Sequence, residues 1–538
     1  MALATILILG PYLIAWLATP PGMVFTGTLA NHNDLATYLS AMRQGSEGAW
    51  LYQFKFSPEV WQPVLYLPLY MATGKVAGLL GGSLEVWFNL LRLPALMLAF
   101  LGLLFWVRQV FPGQAHRQRL AWLLIIFGGG ISWLLWPLAS YFSLPLSSFP
   151  DLSMPEWTTV LIAVNPPHYL LGFALEAIAF GCVLRLMKSQ RPLPWALAGM
   201  GASLALGLTY AYNAAVVVTV LGFYLLILGI QKRQVLWRCS LYLVLVILPI
   251  LPLLFYYGYW VNRDPAWVAF VSGNLNRIPP PPPAGLIAGL GLLGLLAGTG
   301  AVRWLRRQED WLVPLWFGGN LLVMYVPFVP YTGRLSLGLF VPAGTLAAYG
   351  LIEVVIPWLE NTAFFDTFAR FTPTPSETLL RSFVLLMVPS AFMASLLVTQ
   401  NSLVRQTYPN YMVAKERTAA RWLATETDGT DVVFAAYPMG NYLPTVDNAH
   451  VFLGQLTMTL HFEEKLEQME KFWASSTPLS WRRAFLEKWC VQYVYQGTYE
   501  RLLMDGEIEV PGEEIYREDA IAIYHLPDQV ANCEVPSK

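Results

Sequence analysis

Runs of roughly 20 apolar residues, broken by charges, prolines and glycines, recur along most of the chain. A bilayer core about 30 Å thick needs about that many helical residues to cross it. Eleven such runs fall at 3–18, 88–107, 120–138, 168–187, 194–208, 214–230, 241–259, 284–305, 311–329, 335–356 and 383–398. The pattern predicts an all-α polytopic membrane protein of about eleven transmembrane helices. The runs 194–208 and 214–230 are short and close together, so they form either two spans or a hairpin that does not fully cross. The first run has no Lys or Arg before it, and the ATPPG that follows lacks a small-x-small cleavage site. It reads as a membrane helix rather than a cleaved signal peptide.

Two stretches depart from this pattern. Residues 19–85 are polar and follow the first run directly. From Tyr408 onward the composition is that of a water-exposed domain, with helical patterns at 414–426, 462–473 and 481–489 and strand patterns at 431–436, 491–495 and 520–525. The chain therefore divides into a membrane domain, 1–400, whose loop 19–87 lies outside the apolar pattern, and a small α/β domain, 401–538. Five consecutive prolines at 279–283, within the segment 274–284, exclude helix there and predict a stiff extended lead into the next span. No internal repeat of the kind that marks many transporters is present.

Composition sharpens the membrane reading. The chain is 56% hydrophobic and 12% charged, where a soluble domain carries about 25% charged residues. A net charge of −1 gives no reason to expect nucleic acid as a partner. Basic residues cluster in alternate connections: Arg108, Arg117 and Arg119; Arg185, Lys188 and Arg191; Lys232, Arg233 and Arg238; Arg303, Arg306 and Arg307; Arg370 and Arg381. By the positive-inside rule these connections are cytoplasmic, so the loop 19–87 and the C-terminal domain face the extracytoplasmic side of the cytoplasmic membrane. Cys182, Cys239, Cys490 and Cys533 form no CxxC pair or Cys/His cluster. Cys490 and Cys533 can pair if their domain meets an oxidising compartment.

Candidate chemistry concentrates in the loop after the first run. Asp34 stands one helical turn before Tyr38, which puts both on one helix face, and Asn31 or Asn33 is placed to cap that helix. Asp34 is either a general base, or a ligand for a divalent cation (Mg or Mn), or a solvated loop acid. Glu59, between Ser57-Pro58 and Trp61, suits a sugar or an interface. Asn165-Pro-Pro-His168-Tyr169 opens a span with an imidazole that either bonds a lipid phosphate or simply starts the helix. Arg334, in Tyr331-Thr-Gly-Arg334, offers a planar fork to phosphate oxygens or snorkels to headgroups, and Arg92 is a weaker candidate on the same logic. Glu176 and Glu353 are acids within apolar runs, and for Glu176 the simplest partner is a basic residue on another helix. The stretch Gly454-Gln-Leu-Thr-Met-Thr459, with Asn441 and His461 nearby, has no evident chemistry. P-loop, GxGxxG, HExxH and GxSxG motifs are absent.

Asp34, Tyr38, the Gly48-Ala-Trp50-Leu run, Glu59 and the Leu67-Pro-Leu-Tyr70-x-x-x-Gly74-Lys75 stretch resemble the GT-C superfamily of membrane glycosyltransferases, in the bacterial branch related to oligosaccharyl and mannosyl transferases. The resemblance implies a sugar (hexosyl or pentosyl) moved from a polyprenyl-phosphate carrier to a glycan, lipid or protein acceptor at the outer membrane face. It implies Asp34 as the acidic residue that acts as base or metal ligand, with Tyr38, Glu59, His168 and Arg334 as substrate-binding residues. Asn31-His32-Asn33-Asp34 lacks the paired acids of some subfamilies, which bears on metal dependence. A transporter or flippase of lipid-linked glycans, or a non-catalytic assembly protein, are the alternatives in other functional classes.

Overall fold

The computed structural model describes residues 1–538 except 60, 142, 234–235, 273–276, 328–330 and 527–538. All eleven apolar runs are largely helical. Among the described residues seven helices are long and apolar enough to cross a membrane: Leu84–Val110, Ala115–Ala139, Pro167–Lys188, Ala211–Lys232, Pro283–Arg306, Thr332–Glu360 and Pro375–Val404. The pair Trp237–Ile247 and Ile250–Trp260, bent by 47°, makes an eighth if it is one span. Length explains most of the difference from eleven. Helices Ala2–Leu17 and Leu312–Tyr325 are apolar but only about 24 and 21 Å long at about 1.5 Å per residue. Helix Pro192–Thr209 covers the run 194–208, and its three glycines dilute its hydropathy.

The chain forms two compact units. One gathers 1–14, 91–258 and 277–401; the other gathers 15–90, 259–276 and 402–538.

The first unit is a helical bundle around a continuous apolar core that includes Trp106, Phe173, Phe180, Trp316 and Phe340. Its second long span breaks at Gly128-Gly129-Gly130, and the buried carboxylate of Asp151 takes up polar groups freed there: the Gly130 N–H at 3.0 Å, the Ser390 hydroxyl at 2.7 Å and the Ser132 hydroxyl. An acid inside an apolar bundle is costly unless hydrogen-bonded, and this one is. Residues 278–282 are non-helical and the next helix starts at Pro283, as the proline run predicts; residues 274–276 of that segment lie outside the described residues.

The second unit contains two sheets. Strand β1 (Met23–Phe25) pairs antiparallel with β2 (Tyr411–Val413). The larger sheet uses β3 (Val432–Phe434), β4 (His450–Val451), β5 (Tyr493–Gln496), β6 (Glu513–Glu518) and β7 (Ile521–His525), in the order β4-β3-β5-β7-β6. β3 is parallel to both neighbours, while β5–β7 and β7–β6 are antiparallel. Helices Ala414–Glu426, Phe462–Trp473 and Leu479–Lys488 accompany it. The expected pairing of Cys490 with Cys533 involves a position outside the described residues. Helix His32–Ser46 packs on helix Pro68–Leu80 with backbones in contact. A Cβ on Gly45 would lie 2.2 Å from the Met71 carbonyl oxygen, and one on Gly74 would lie 1.9 Å from that of Met42. Glycine is the residue that permits this approach, and it anchors the helix that carries Asp34.

Candidate functional site

Asp34 sits in the first turn of helix His32–Ser46, where the N-terminal helix dipole favours a negative charge. Asn31 occupies the N-cap position in a left-handed conformation and makes no side-chain cap, contrary to the simplest reading of the sequence. Asn33 is not a cap either, since its Oδ1 accepts a hydrogen bond from the Tyr437 hydroxyl at 3.1 Å. The Asp34 carboxylate is half-buried, and its Oδ1 accepts from Gln455 Nε2 at 3.0 Å. Among the described residues no ion pair includes Asp34, so its partner is a neutral amide rather than a cation.

Gln455 explains the stretch that the sequence left without a role. Its Oε1 accepts from the backbone N–H groups of Thr457 and Met458 at 2.7 and 2.8 Å, which fixes the amide so that its NH2 faces Asp34. The Thr459 hydroxyl is bonded to the Phe56 carbonyl at 2.7 Å and lies 3.0 Å from the Gly454 N–H, tying the same turn to the loop. Asp34 is thus positioned by a turn more than 400 residues away in sequence.

Tyr38 is buried in a stack, its ring centroid 4.6 Å from Tyr70 and 6.2 Å from Phe88. Glu59 forms an ion pair with Lys465 at 2.7 Å, and Lys465 is 1% exposed. Ser57 bonds to both groups. Burial lowers the Lys465 pKa while the Glu59 carboxylate opposes that fall. Nearby, Lys55 Nζ lies 3.1 Å from His450 Nε2. Burial and the neighbouring ammonium push the His450 pKa down to about 4, and burial lowers that of Lys55 to about 8.

His168 and Arg334 belong to the other unit, where they join one cluster. Arg334 Nη1 donates to the Tyr169 hydroxyl at 2.8 Å and lies 3.4 Å from Glu156 Oε1. Its guanidinium stands 5.5 Å from the Tyr212 ring centroid, and Tyr210 donates to Glu156 at 3.2 Å. The His168 ring lies 4.6 Å from Tyr169 and 5.9 Å from Tyr210. Arg334 Nε is buried with no hydrogen-bond partner among the described residues.

The turn Thr332–Ser336 that carries Arg334 is pinned from below and from the side. Asn320 donates to the Leu335 carbonyl at 2.8 Å, Asn213 donates to that of Leu337 at 2.9 Å, and the Gly333 N–H donates to that of Ile278 at 3.0 Å. Glu176 accepts from Asn213 at 2.6 Å, so its partner is a neutral amide and not the basic residue expected. Gly338, at φ +87°, lets the chain pass the Glu176 carboxylate, where a Cβ would lie 2.2 Å from Oε2. Glu353 pairs with Arg117 and, at 3.3 Å, with Arg307. Arg92 is buried and donates to the carbonyls of Ala163 (3.1 Å) and Asn165 (2.5 Å) at the end of helix Thr159–Val164, a capping duty.

Sequence reasoning missed Glu156, Tyr210, Tyr212 and Lys465, and it singled out the stretches that contain Tyr169 and Gln455 without giving either residue a role. The usable signals were an acid between two apolar runs, Met154-Pro-Glu156-Trp157, and the Tyr210-Ala-Tyr212 pair at a helix junction. Among the described residues no group of three or more His, Cys, Asp or Glu is arranged to hold a metal ion. Asp34 brings one carboxylate beside a carboxamide, a donor set that does not by itself fit Mg or Mn.

Comparison with solved structures places this architecture. The apo oligosaccharyltransferase of Archaeoglobus fulgidus superimposes with a TM-score of 0.54 at 12% identity, covering 92% of this chain and 69% of that one. The mycobacterial arabinofuranosyltransferase AftD gives 0.53 at 12% identity, covering 99% of this chain and 40% of that one. Both are membrane glycosyltransferases of the GT-C fold, and this chain has that fold. Other structures of the Archaeoglobus enzyme, at TM-score 0.52, contain an inhibitory peptide with a dolichol-phosphate, or Zn and sulfate. No family model and no curated protein matches the sequence.

Proposed function

We propose that this protein is a multi-pass membrane glycosyltransferase that moves a sugar from a polyprenyl-phosphate carrier to a hydroxyl or amide acceptor at the outer face of the cytoplasmic membrane. The observation that carries the reading is an acid at the start of a helix, held by a neutral amide with no counter-charge, in a chain with the GT-C fold. A carboxylate oriented by a hydrogen bond at a helix start is of the type that serves as a general base.

In this reading Asp34 takes the acceptor proton as the acceptor atom bonds to the sugar C1. The C1–O bond to the carrier breaks, and polyprenyl phosphate leaves with the electron pair. Within its own unit, the Arg334 cluster has the chemistry to meet a phosphate oxygen, an Nε–H without a partner among the described residues, with His168 beside it among the tyrosines. Tyr38 and Glu59, stacked and ion-paired as they are, hold the loop that presents Asp34 rather than touch substrate. The loop and the C-terminal domain face the extracytoplasmic side, consistent with the clustering of basic residues in the opposite connections.

The test uses purified protein in nanodiscs, incubated with lipid-linked sugars extracted from membranes and followed by mass spectrometry. Wild type depletes a polyprenyl-phosphate sugar. Asp34→Ala slows depletion by about 100-fold to 10,000-fold while unfolding at the wild-type temperature. Full activity in a folded Asp34→Ala protein ends the assignment.

A further inference from the structure

A cleft in the second unit lies beside the helix that carries Asp34 but on a different face. His32, Leu35, Ala36 and Leu39 line it, at the spacing of one helical stripe, and Asp34 does not. It encloses about 500 Å³ of unfilled space, part of it open to solvent. Much of the remaining wall is apolar or aromatic, with Val24, Phe25, Met412, Tyr408 and Tyr442 contributing.

Four polar atoms on this wall are buried without a hydrogen-bond partner among the described residues: Asn441 Oδ1, Arg417 Nε, His32 Nδ1 and the Tyr442 hydroxyl oxygen. Asn441 is only 2% exposed, and its NH2 is already committed to the Tyr408 hydroxyl at 2.7 Å. Buried polar groups left unpaired are costly, so the cleft suits something that both donates and accepts hydrogen bonds.

Charge narrows the choice. Arg417 and Glu85 pair with each other at 2.8 Å, cancelling within the cleft. Burial, aided by Arg405, lowers the His32 pKa to about 4, so its ring is neutral at pH 7. Among the residues that line the cleft, Arg417 and Glu85 leave no charge over for a phosphate or carboxylate, and Arg405 reaches His32 only from outside that lining. A plain hydrocarbon chain would leave these polar atoms unsatisfied. A sugar ring offers an apolar C–H face to Phe25 and the tyrosines, and hydroxyls that serve Asn441 Oδ1 as donors and Arg417 Nε as acceptors.

We propose that this cleft is a binding site for a neutral sugar ring, separate from any site for the charged carrier. It rests on the sugar-transfer reading for its occupant, an acceptor glycan docked beside the Asp34 helix. Binding itself requires no turnover.

The experiment uses the full chain in nanodiscs with methyl glycosides of neutral hexoses and pentoses, and with inorganic phosphate as the charged comparison. Binding is read by saturation-transfer NMR and by peptide-level modification of His32 with diethyl pyrocarbonate. At least one glycoside is expected to bind in the millimolar range and to slow His32 modification about threefold or more. Asn441→Leu is expected to weaken binding about tenfold, and Ala36→Phe, which fills the cleft, to abolish it. Should either variant fail to fold, His32 protection in wild type decides alone. The proposal is overturned if no glycoside protects His32, if phosphate protects it instead, or if both variants fold and bind normally. Depletion of lipid-linked sugar without His32 protection would retain the transferase reading and remove this cleft from it. His32 protection without depletion would do the reverse.

Discussion

Arg334 and Asp34 are charged side chains kept partly out of water in opposite ways. The guanidinium is surrounded by compensation: an acid 2% exposed, a tyrosine hydroxyl at 2.8 Å and the face of a second tyrosine. The carboxylate meets one carboxamide. Desolvating a cation inside a bundle is tolerable only with close partners, and removing a partner then leaves the full penalty behind. A half-exposed carboxylate needs less help, and the neutral amide orients it without consuming its charge. One charge is held by an acid and two tyrosines, the other by a single neutral amide.

The sharpest way to break this contrast is to strip the compensation. Glu156→Ala is expected to destabilise the first unit by about 3–5 kcal/mol, read as a fall in the unfolding temperature of protein in detergent. A change within about 0.5 kcal/mol would mean that Glu156 does not compensate Arg334.

Acid titration probes the second unit at His450. An imidazole whose folded pKa lies near 4, against 6.5 when unfolded, binds fewer protons in the fold than out of it. Stability is then complete above pH 6.5 and falls as pH drops from 6.5 to 4, by about 3 kcal/mol. Lys55, with its pKa near 8, is already fully charged in that window and adds no slope there. His32, also lowered to about 4, adds a parallel slope, so His450→Gln should reduce the fall in urea-unfolding stability between those two pH values without abolishing it, and an unchanged slope would place the acid sensitivity elsewhere.

Smaller effects test the amide. Gln455→Leu removes a hydrogen bond to a charged group, worth about 1.5–3 kcal/mol, and should slow transfer about 10-fold to 100-fold. Smallest of all, Gln455→Glu sets a second carboxylate against Asp34, which raises the pKa of the pair. The acid limb of the pH–rate profile should move upward by about one unit. A profile that stays in place would show that Asp34 does not set it.

Much of the fold is legible in the sequence because apolar runs leave a local trace. Every such run is largely helical, and the patterns at 414–426, 462–473, 491–495 and 520–525 find their helices and strands. What escaped detection lacks that trace. Strand β6, Glu-Glu-Ile-Tyr-Arg-Glu, is mostly charged because it lies at the sheet edge, and β4 is two residues long. The site is legible only by halves. Asp34 and Arg334 stand out by residue type, but Gln455 and Glu156 act through contacts 421 and 178 residues away, which no periodicity encodes.

The antiparallel ribbon of β1 and β2 has a consequence for biogenesis. Its second strand emerges some 386 residues after the first, the interval from Phe25 to Tyr411. At roughly 5–20 residues per second, that is a wait of about 20–80 s during which the early strand has no mate. The carboxylate-bearing loop therefore completes its folding only after the long apolar helix Pro375–Val404 has been synthesised, and a ribosome stalled midway leaves a chain with many of its helices and an unpaired first strand.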